Sequence, residues 1–61
     1  MPDLDILKGR TGLIVEDNMI IALDAEQLLL DNGMARILTA ANVAEALRLI
    51  ESETIDVALL D

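Results

Sequence analysis

The 61-residue sequence contains no cysteine, no histidine and no aromatic residue, and only four basic residues stand against twelve acidic ones. Without cysteine there can be no disulfide. A domain of this size buries only ~60% of the surface of its unfolded chain, so metal binding or self-association would have to supply further stability. A net charge of −8 repels phosphate backbones, and no aromatic ring is available to stack on a base. The composition therefore predicts no nucleic-acid contact by this segment and favours cation binding.

Long hydrophobic runs are also missing from the sequence. No apolar stretch approaches the ~20 residues of a membrane span, and the first five residues, Met-Pro-Asp-Leu-Asp, carry acids where a signal peptide has basic residues. We therefore expect a cytoplasmic protein that makes no membrane contact. Aliphatic residues nevertheless raise the hydrophobic content to 54%, far above that of disordered segments, so the sequence is expected to fold.

Short apolar runs alternate with amphipathic stretches along the chain. Residues 1–9 are predicted to be a leader, and a turn-like hinge with two glycines follows at residues 9–12. Continuous apolar runs are typical of strands that are covered on both faces, and apolar residues at three- and four-residue steps are typical of amphipathic helices. The predicted elements are strand 13–15, helix 19–31, strand 35–40, a helix from residue 43, and strand 55–60.

The two predicted helices carry recognisable caps and apolar stripes. Asp17 or Asn18 can cap the first helix, and Asn42 with Glu45 resembles a capping box at the second. The predicted apolar stripes are Ile21, Ala25, Leu28 and Leu29 in the first helix and Val43, Ala46, Leu47 and Ile50 in the second.

This order of elements predicts an α/β fold with a β-α-β-α-β chain path. Strands joined through helices are parallel. In the strand order 2-1-3 the two helices lie on opposite faces and a crevice opens between strands one and three. Ligands of open parallel sheets bind at such a point, beyond the carboxyl ends of the strands.

Three acids fall at these strand ends. Glu16 and Asp17 follow the first strand, and Asp61 closes the third. Because neighbouring strands are ~4.8 Å apart, the three carboxylates would repel one another unless a cation offset their charge. Mg²⁺ is the hard cation that keeps several waters and takes one or two carboxylates, and it would make an aspartate a competent nucleophile toward phosphorus. We predict a Mg²⁺ site formed by Glu16, Asp17 and Asp61.

Simpler interpretations exist for these acids and their neighbours. Glu16 and Asp17 could only complement the dipole of the following helix, which is worth ~0.3 to 1 kcal/mol. Asn18 could orient a substrate, but helix capping is the favoured interpretation. Asp56 precedes the third strand, at the opposite end from the other acids, and is predicted to be a solvated turn acid.

The same residues resemble the receiver domain of bacterial two-component response regulators. Residues 14–18, Ile-Val-Glu-Asp-Asn, are similar to the acidic pair after the family's first strand. Residues 55–61 resemble its third strand ending in the phosphoacceptor, and residues 42–47 resemble the start of its second helix. The resemblance implies that residues 10–61 are the N-terminal half of a receiver domain, truncated at the end of strand three of a flavodoxin-like doubly wound sheet.

The resemblance also implies a chemistry. Asp61 would accept a phosphoryl group from a sensor histidine kinase or a histidine phosphotransfer protein. Asp17 and Asp61 would bind Mg²⁺ directly and Glu16 would hold it through water. A receiver is not an enzyme beyond catalysing its own phosphotransfer. The family's later Ser or Thr, its Lys and three helices have no counterpart in this sequence, so phosphotransfer is expected of the complete domain.

The alternative interpretation is an interaction module without chemistry. Strand three would then be an open edge that pairs with a second copy, because an open edge invites strand pairing or segment exchange. A small metal-dependent phosphatase is disfavoured, since no general acid, base or lysine is placed near the acids.

Overall fold

The computed structural model describes the backbone of residues 4–60 and the side chains of residues 6–60. It confirms the α/β prediction. Three parallel strands form one sheet in the order β2-β1-β3. The elements are a 3₁₀ helix Leu4–Leu7, β1 Thr11–Val15, α1 Met19–Asp31, β2 Arg36–Ala40, α2 Val43–Ser52 and β3 Val57–Leu60.

The starts of all three strands differ from the predicted ones, and that of β2 differs by only one residue, because β2 begins at Arg36 rather than at residue 35. β1 begins at Thr11 rather than at residue 13, so half of the predicted hinge belongs to the sheet. The reason is pairing on both sides, because Thr11 is opposite Arg36 of β2 and its backbone oxygen accepts the N–H of Asp56 at 2.9 Å. β3 begins at Val57 rather than at residue 55. The predicted leader contains the 3₁₀ helix, and its residues 1–3 lie outside the described residues.

β1 is the central strand and is covered on both faces. Leu13, only 1% exposed, and Val15 pack with Ala40 and Ala46 on the face that α2 covers. Ile14 is buried on the opposite face, which α1 covers. This two-sided burial explains why the run is continuously apolar rather than alternating.

Gly12 of β1 allows a close packing contact on the α1 face. A Cβ atom at Gly12 would lie 2.8 Å from Cε of the buried Met34 and 3.1 Å from Cδ1 of Ile37. The missing side chain therefore lets Met34 pack directly against β1.

Both helices begin at the predicted caps. The Asn18 side chain accepts the N–H groups of Ile20 at 3.0 Å and Ile21 at 3.3 Å, which confirms the favoured capping interpretation. Asn42 accepts the N–H of Glu45 at 2.9 Å. The Glu45 carboxylate accepts the N–H of Ala41 at 3.1 Å rather than that of Asn42, one residue away from the ideal capping box.

The predicted apolar stripes are only partly buried. α1 buries Ala22, while Ile21 and Leu28 are 50% and 62% exposed. α2 buries Ala46 and packs through Leu49. The other predicted stripe residues of α2, Val43, Leu47 and Ile50, are exposed. Both helices lie on β1 and β2, so the sides that face away from these strands stay open.

Within residues 4–60, no helix has the length and apolar character that crossing a bilayer requires.

Candidate functional site at the carboxyl end of the sheet

The site is the point where the chain leaves β1 for α1. Val15, the last residue of β1, pairs with Ala40 of β2 on one side and with Leu60 of β3 on the other. The ladder to β2 continues one residue further, because the N–H of Glu16 donates to the Ala40 oxygen at 2.9 Å. Glu16 and Asp17 therefore leave the centre of the sheet at its carboxyl edge, where the strand order reverses.

Glu16 is held by the start of α1. It is half-buried, and its Oε2 accepts the N–H of Asn18 at 2.9 Å. A carboxylate so close to a helix N-terminus interacts favourably with the helix dipole. One oxygen of Glu16 is thus engaged with the backbone, which restricts how directly this residue can bind a ligand.

Asp17 differs from Glu16 in its surroundings. Its side chain is exposed, and the groups described in residues 6–60 provide it with no hydrogen bond or ion pair. A carboxylate in this state is available to a ligand without first breaking an internal contact.

Asp61, the third predicted site residue, lies outside the described residues. The convergence of Glu16, Asp17 and Asp61 therefore stays a prediction. The described residue nearest to it in sequence is Leu60. Leu60 and Glu16 both line an apolar groove between α1 and β3. Among the described side chains, those of residues 6–60, no three acidic groups lie closely enough together to hold a metal ion.

The two carboxylates open onto depressions at the β2 side of the site. One depression of about 270 Å³ is lined by Glu16 and Asp17 together with Asn42. Another, of about 140 Å³, also contains Thr39 and Glu45. Oxygen ligands of this kind suit Mg²⁺, which needs only one or two protein carboxylates and keeps its other waters. The carboxylate oxygens of Asp17 and Glu16 are therefore suitable ligands for Mg²⁺. Asp17 has no hydrogen bond or ion pair within the described residues and could bind the ion directly, and Glu16 could hold a water that is bound to the ion.

Glu45 is a neighbour of the site that the sequence-based prediction omitted. It borders the same depression as Glu16 and Asp17, and its Oε2 is bound to the Ala41 N–H. The sequence signal that could have identified Glu45 as a site neighbour is its position in the first turn of α2. Because α2 follows β2, this turn lies near the carboxyl end of β2, which is the edge of the sheet where the site lies. Its bond to the backbone gives it a structural use.

Asp56 lies at the opposite end of the sheet, as predicted, but it is not a simple solvated acid. Its Oδ2 accepts the N–H of Thr11 at 2.9 Å, and its Oδ1 lies 3.9 Å from the Arg10 guanidinium. Asp56 therefore links the start of β1 to the start of β3 and takes no part in the candidate site.

The fold and the site define a class: a small α/β domain with an acidic pair at the switch point of a parallel sheet. Comparisons of the chain with protein-family models, with curated proteins and with solved structures found no match.

Proposed function

We propose that residues 10–61 form the N-terminal half of a two-component receiver domain, and that Asp61 is its phosphoacceptor. The observation that carries this proposal is the position of Glu16 and Asp17, which follow the central strand at the edge where β3 also ends. The strand order β2-β1-β3 is the order that such a domain requires of its first three strands.

The register of β1 and β3 supports a shared site. Val15 and Leu60 are partners, and Glu16 and Asp61 are the residues that directly follow them in the sequence. Consecutive Cα atoms are about 3.8 Å apart and neighbouring strands about 4.8 Å apart. Carboxylates attached at such positions would be close enough to hold one hydrated ion together.

The proposed reaction transfers a phosphoryl group from the histidine of a kinase or phosphotransfer protein. A carboxylate oxygen of Asp61 forms a bond to phosphorus as the phosphorus–nitrogen bond breaks, and the imidazole leaves with the bonding electrons and is protonated. Mg²⁺, when bound, screens the phosphoryl oxygens from the attacking carboxylate. Asp17 and Asp61 would hold the ion directly, and Glu16, whose Oε2 accepts the Asn18 N–H, would hold it through a water.

The same proposal describes a cytoplasmic signalling domain. It undergoes phosphorylation rather than acting as an enzyme on other substrates. It makes no contact with nucleic acid through this segment and none with a membrane. Phosphotransfer belongs to the complete domain.

The test is phosphorylation of the complete domain by a small phosphoryl donor, phosphoramidate, in the presence of Mg²⁺. Intact-mass spectrometry should show one added phosphoryl group, which Asp61→Asn abolishes. The control Asp24→Asn removes another exposed acid, one that lies in α1, and should leave phosphorylation unchanged. Undiminished phosphorylation of the Asp61→Asn protein would show that the phosphoacceptor is misassigned.

A second candidate function, self-association, is favoured by a different observation. In the described part of the chain β3 pairs only with β1, and its last two residues, Leu59 and Leu60, are 45% and 73% exposed. An open edge of this kind can pair with a strand of a second copy. Sedimentation at micromolar concentration should then find a dimer, whereas a stable, folded monomer would contradict this function.

A further inference from the structure

Asp56 makes two hydrogen bonds to one residue of the central strand. Its backbone N–H donates to the Thr11 oxygen at 2.9 Å, and its carboxylate Oδ2 accepts the Thr11 N–H, also at 2.9 Å. The pairing of the two strands continues directly from this point, with Gly12 of β1 opposite Val57 of β3. Asp56 therefore holds the start of β3, at the end of the sheet opposite to the one at which Asp61 follows this strand.

The apolar pattern of β3 does not by itself specify this alignment. β3, Val57–Leu60, is apolar at all four positions, and β1 is apolar from residue 13 to residue 15. In strands where apolar and polar residues alternate, a one-residue shift would bury polar side chains, and this penalty fixes the register. A shifted β3 would instead exchange one apolar side chain for another. Specific polar contacts are therefore needed to select one register.

Few other contacts hold β3 within the described residues. It pairs only with β1 there, and both helices lie on β1 and β2. Ile55 and Val57, on either side of Asp56, have no hydrogen-bond acceptor in their side chains and could not replace its carboxylate after a shift. The Arg10 guanidinium is 3.9 Å from Oδ1 of Asp56, but its side chain is 54% exposed, and exposed ion pairs contribute little. The bond to the Thr11 N–H is thus the contact that distinguishes one register from the next.

We propose that Asp56 is a positioning residue for Asp61, because it sets the register of the strand that Asp61 follows. This inference rests on the proposed function, in which Asp61 is the phosphoacceptor. Each residue of a strand advances the chain by about 3.3 Å, and a one-residue shift turns every side chain to the other face of the sheet. A misaligned β3 would therefore separate the Asp61 carboxylate from Glu16 and Asp17. Asp56 acts only through the alignment of β3.

The register is linked to the binding of Mg²⁺. Loss of one net hydrogen bond changes the ratio of two states about fivefold. Because only the aligned register brings the carboxylates together, the apparent affinity for Mg²⁺ falls with the fraction of molecules in that register. Bound Mg²⁺ in turn favours the aligned register.

The first measurement is the register of β3 itself, followed by NMR in the full chain. Asp56→Ala should populate a second arrangement of β3. It would be detected as exchange broadening of the amide signals of residues 57–60 and as cross-strand nuclear Overhauser contacts that the unchanged chain does not show. The amide signals of β2, residues 36–40, should stay sharp. Asp56→Asn should behave like the unchanged chain, because its amide oxygen still accepts the Thr11 N–H.

The second measurement is a Mg²⁺ titration of the same variants, followed through the amide shifts of residues 15–18. Asp56→Ala should raise the Mg²⁺ concentration at half-saturation about two- to fivefold, and saturating Mg²⁺ should remove the broadening in β3. Asp56→Asn should keep the original midpoint. Both substitutions remove the same negative charge, so the difference between them measures the hydrogen bond alone.

Glu53→Ala is the matched control. The side chains of Glu53 and Asp56 are both 33% exposed and both face an arginine. Glu53 accepts a hydrogen bond from Arg36 at 2.9 Å and thereby joins the end of α2 to β2 rather than β3 to β1. Its replacement should leave the β3 signals and the Mg²⁺ midpoint unchanged.

Three results would overturn the proposal. The first is a single β3 register in the Asp56→Ala protein with an unchanged Mg²⁺ midpoint. The second is an equal effect of Asp56→Ala and Asp56→Asn, because charge rather than the hydrogen bond would then be responsible. The third is broadening of β2 as strong as that of β3, which would indicate a general loss of structure. Failure of the unchanged chain to bind Mg²⁺ would contradict the proposed metal site instead, and the register measurement would still determine the role of Asp56.

Discussion

Short polar side chains fix where the elements of this protein begin. Asn18 and Asn42 each accept N–H groups from the first turn of a helix, and Asp56 accepts the first N–H of β1. These groups would otherwise lack a partner within their own element. Each bond therefore fixes a boundary, and the Asn18 bond fixes the one next to the candidate site.

The Asp56 contact gives the first stability prediction. Asp56→Ala should lower the free energy of unfolding by about 1 kcal/mol, because it removes a net hydrogen bond to the Thr11 N–H. Urea denaturation measures the change. Asp24→Ala, which removes an exposed acid from α1, serves as the control and should change stability much less. If both variants lost the same free energy of unfolding, the hydrogen bond between Asp56 and the Thr11 N–H would not contribute to stability.

The caps were predictable from sequence because they are local. Asn18 and Asn42 bond to residues within three positions of themselves, so the order of residues is sufficient to recognise them. The partner of Asp56 is 45 residues away and depends on how β3 pairs with β1. No local pattern predicts that contact, and the closeness of Glu45 to Glu16 also depends on how α2 packs.

At the scale of elements, β1 is the strand on which the others depend. It pairs with both neighbours and is covered by α1 on one face and α2 on the other. Its uninterrupted apolar sequence made it predictable. The extent of helix burial was less predictable, because an apolar stripe such as Ile21 with Leu28 is buried only where a neighbouring element covers it.

The central position of β1 leads to a second stability prediction. Leu13→Ala should lower the free energy of unfolding by about 2 to 5 kcal/mol, because it leaves a cavity in the core beside Val15 and Ala46. The matched control is Leu47→Ala in α2, where the leucine is exposed, and it should cost much less. Thermal or urea unfolding of the two variants provides the comparison. If Leu47→Ala lowered the free energy of unfolding as much as Leu13→Ala does, the core would not be centred on β1.

At the scale of the whole molecule, the dominant property is a net charge of −8 on 61 residues. Glu16 and Asp17 directly follow the central strand at the carboxyl edge of the sheet, and we propose that Asp61 joins them there. The three carboxylates would then accumulate negative charge at this edge. Our account assigns this charge to binding a divalent cation for phosphotransfer.

The most direct test of this assignment is a Mg²⁺ titration of the full chain, followed through backbone amide NMR shifts. We expect saturable shifts centred on residues 15–18, abolished by Asp17→Asn and retained in the control Asp24→Asn. If the Asp17→Asn protein titrated like the unchanged chain, or if shifts of equal size appeared at every acidic residue, the acids at the strand ends would not form a metal site.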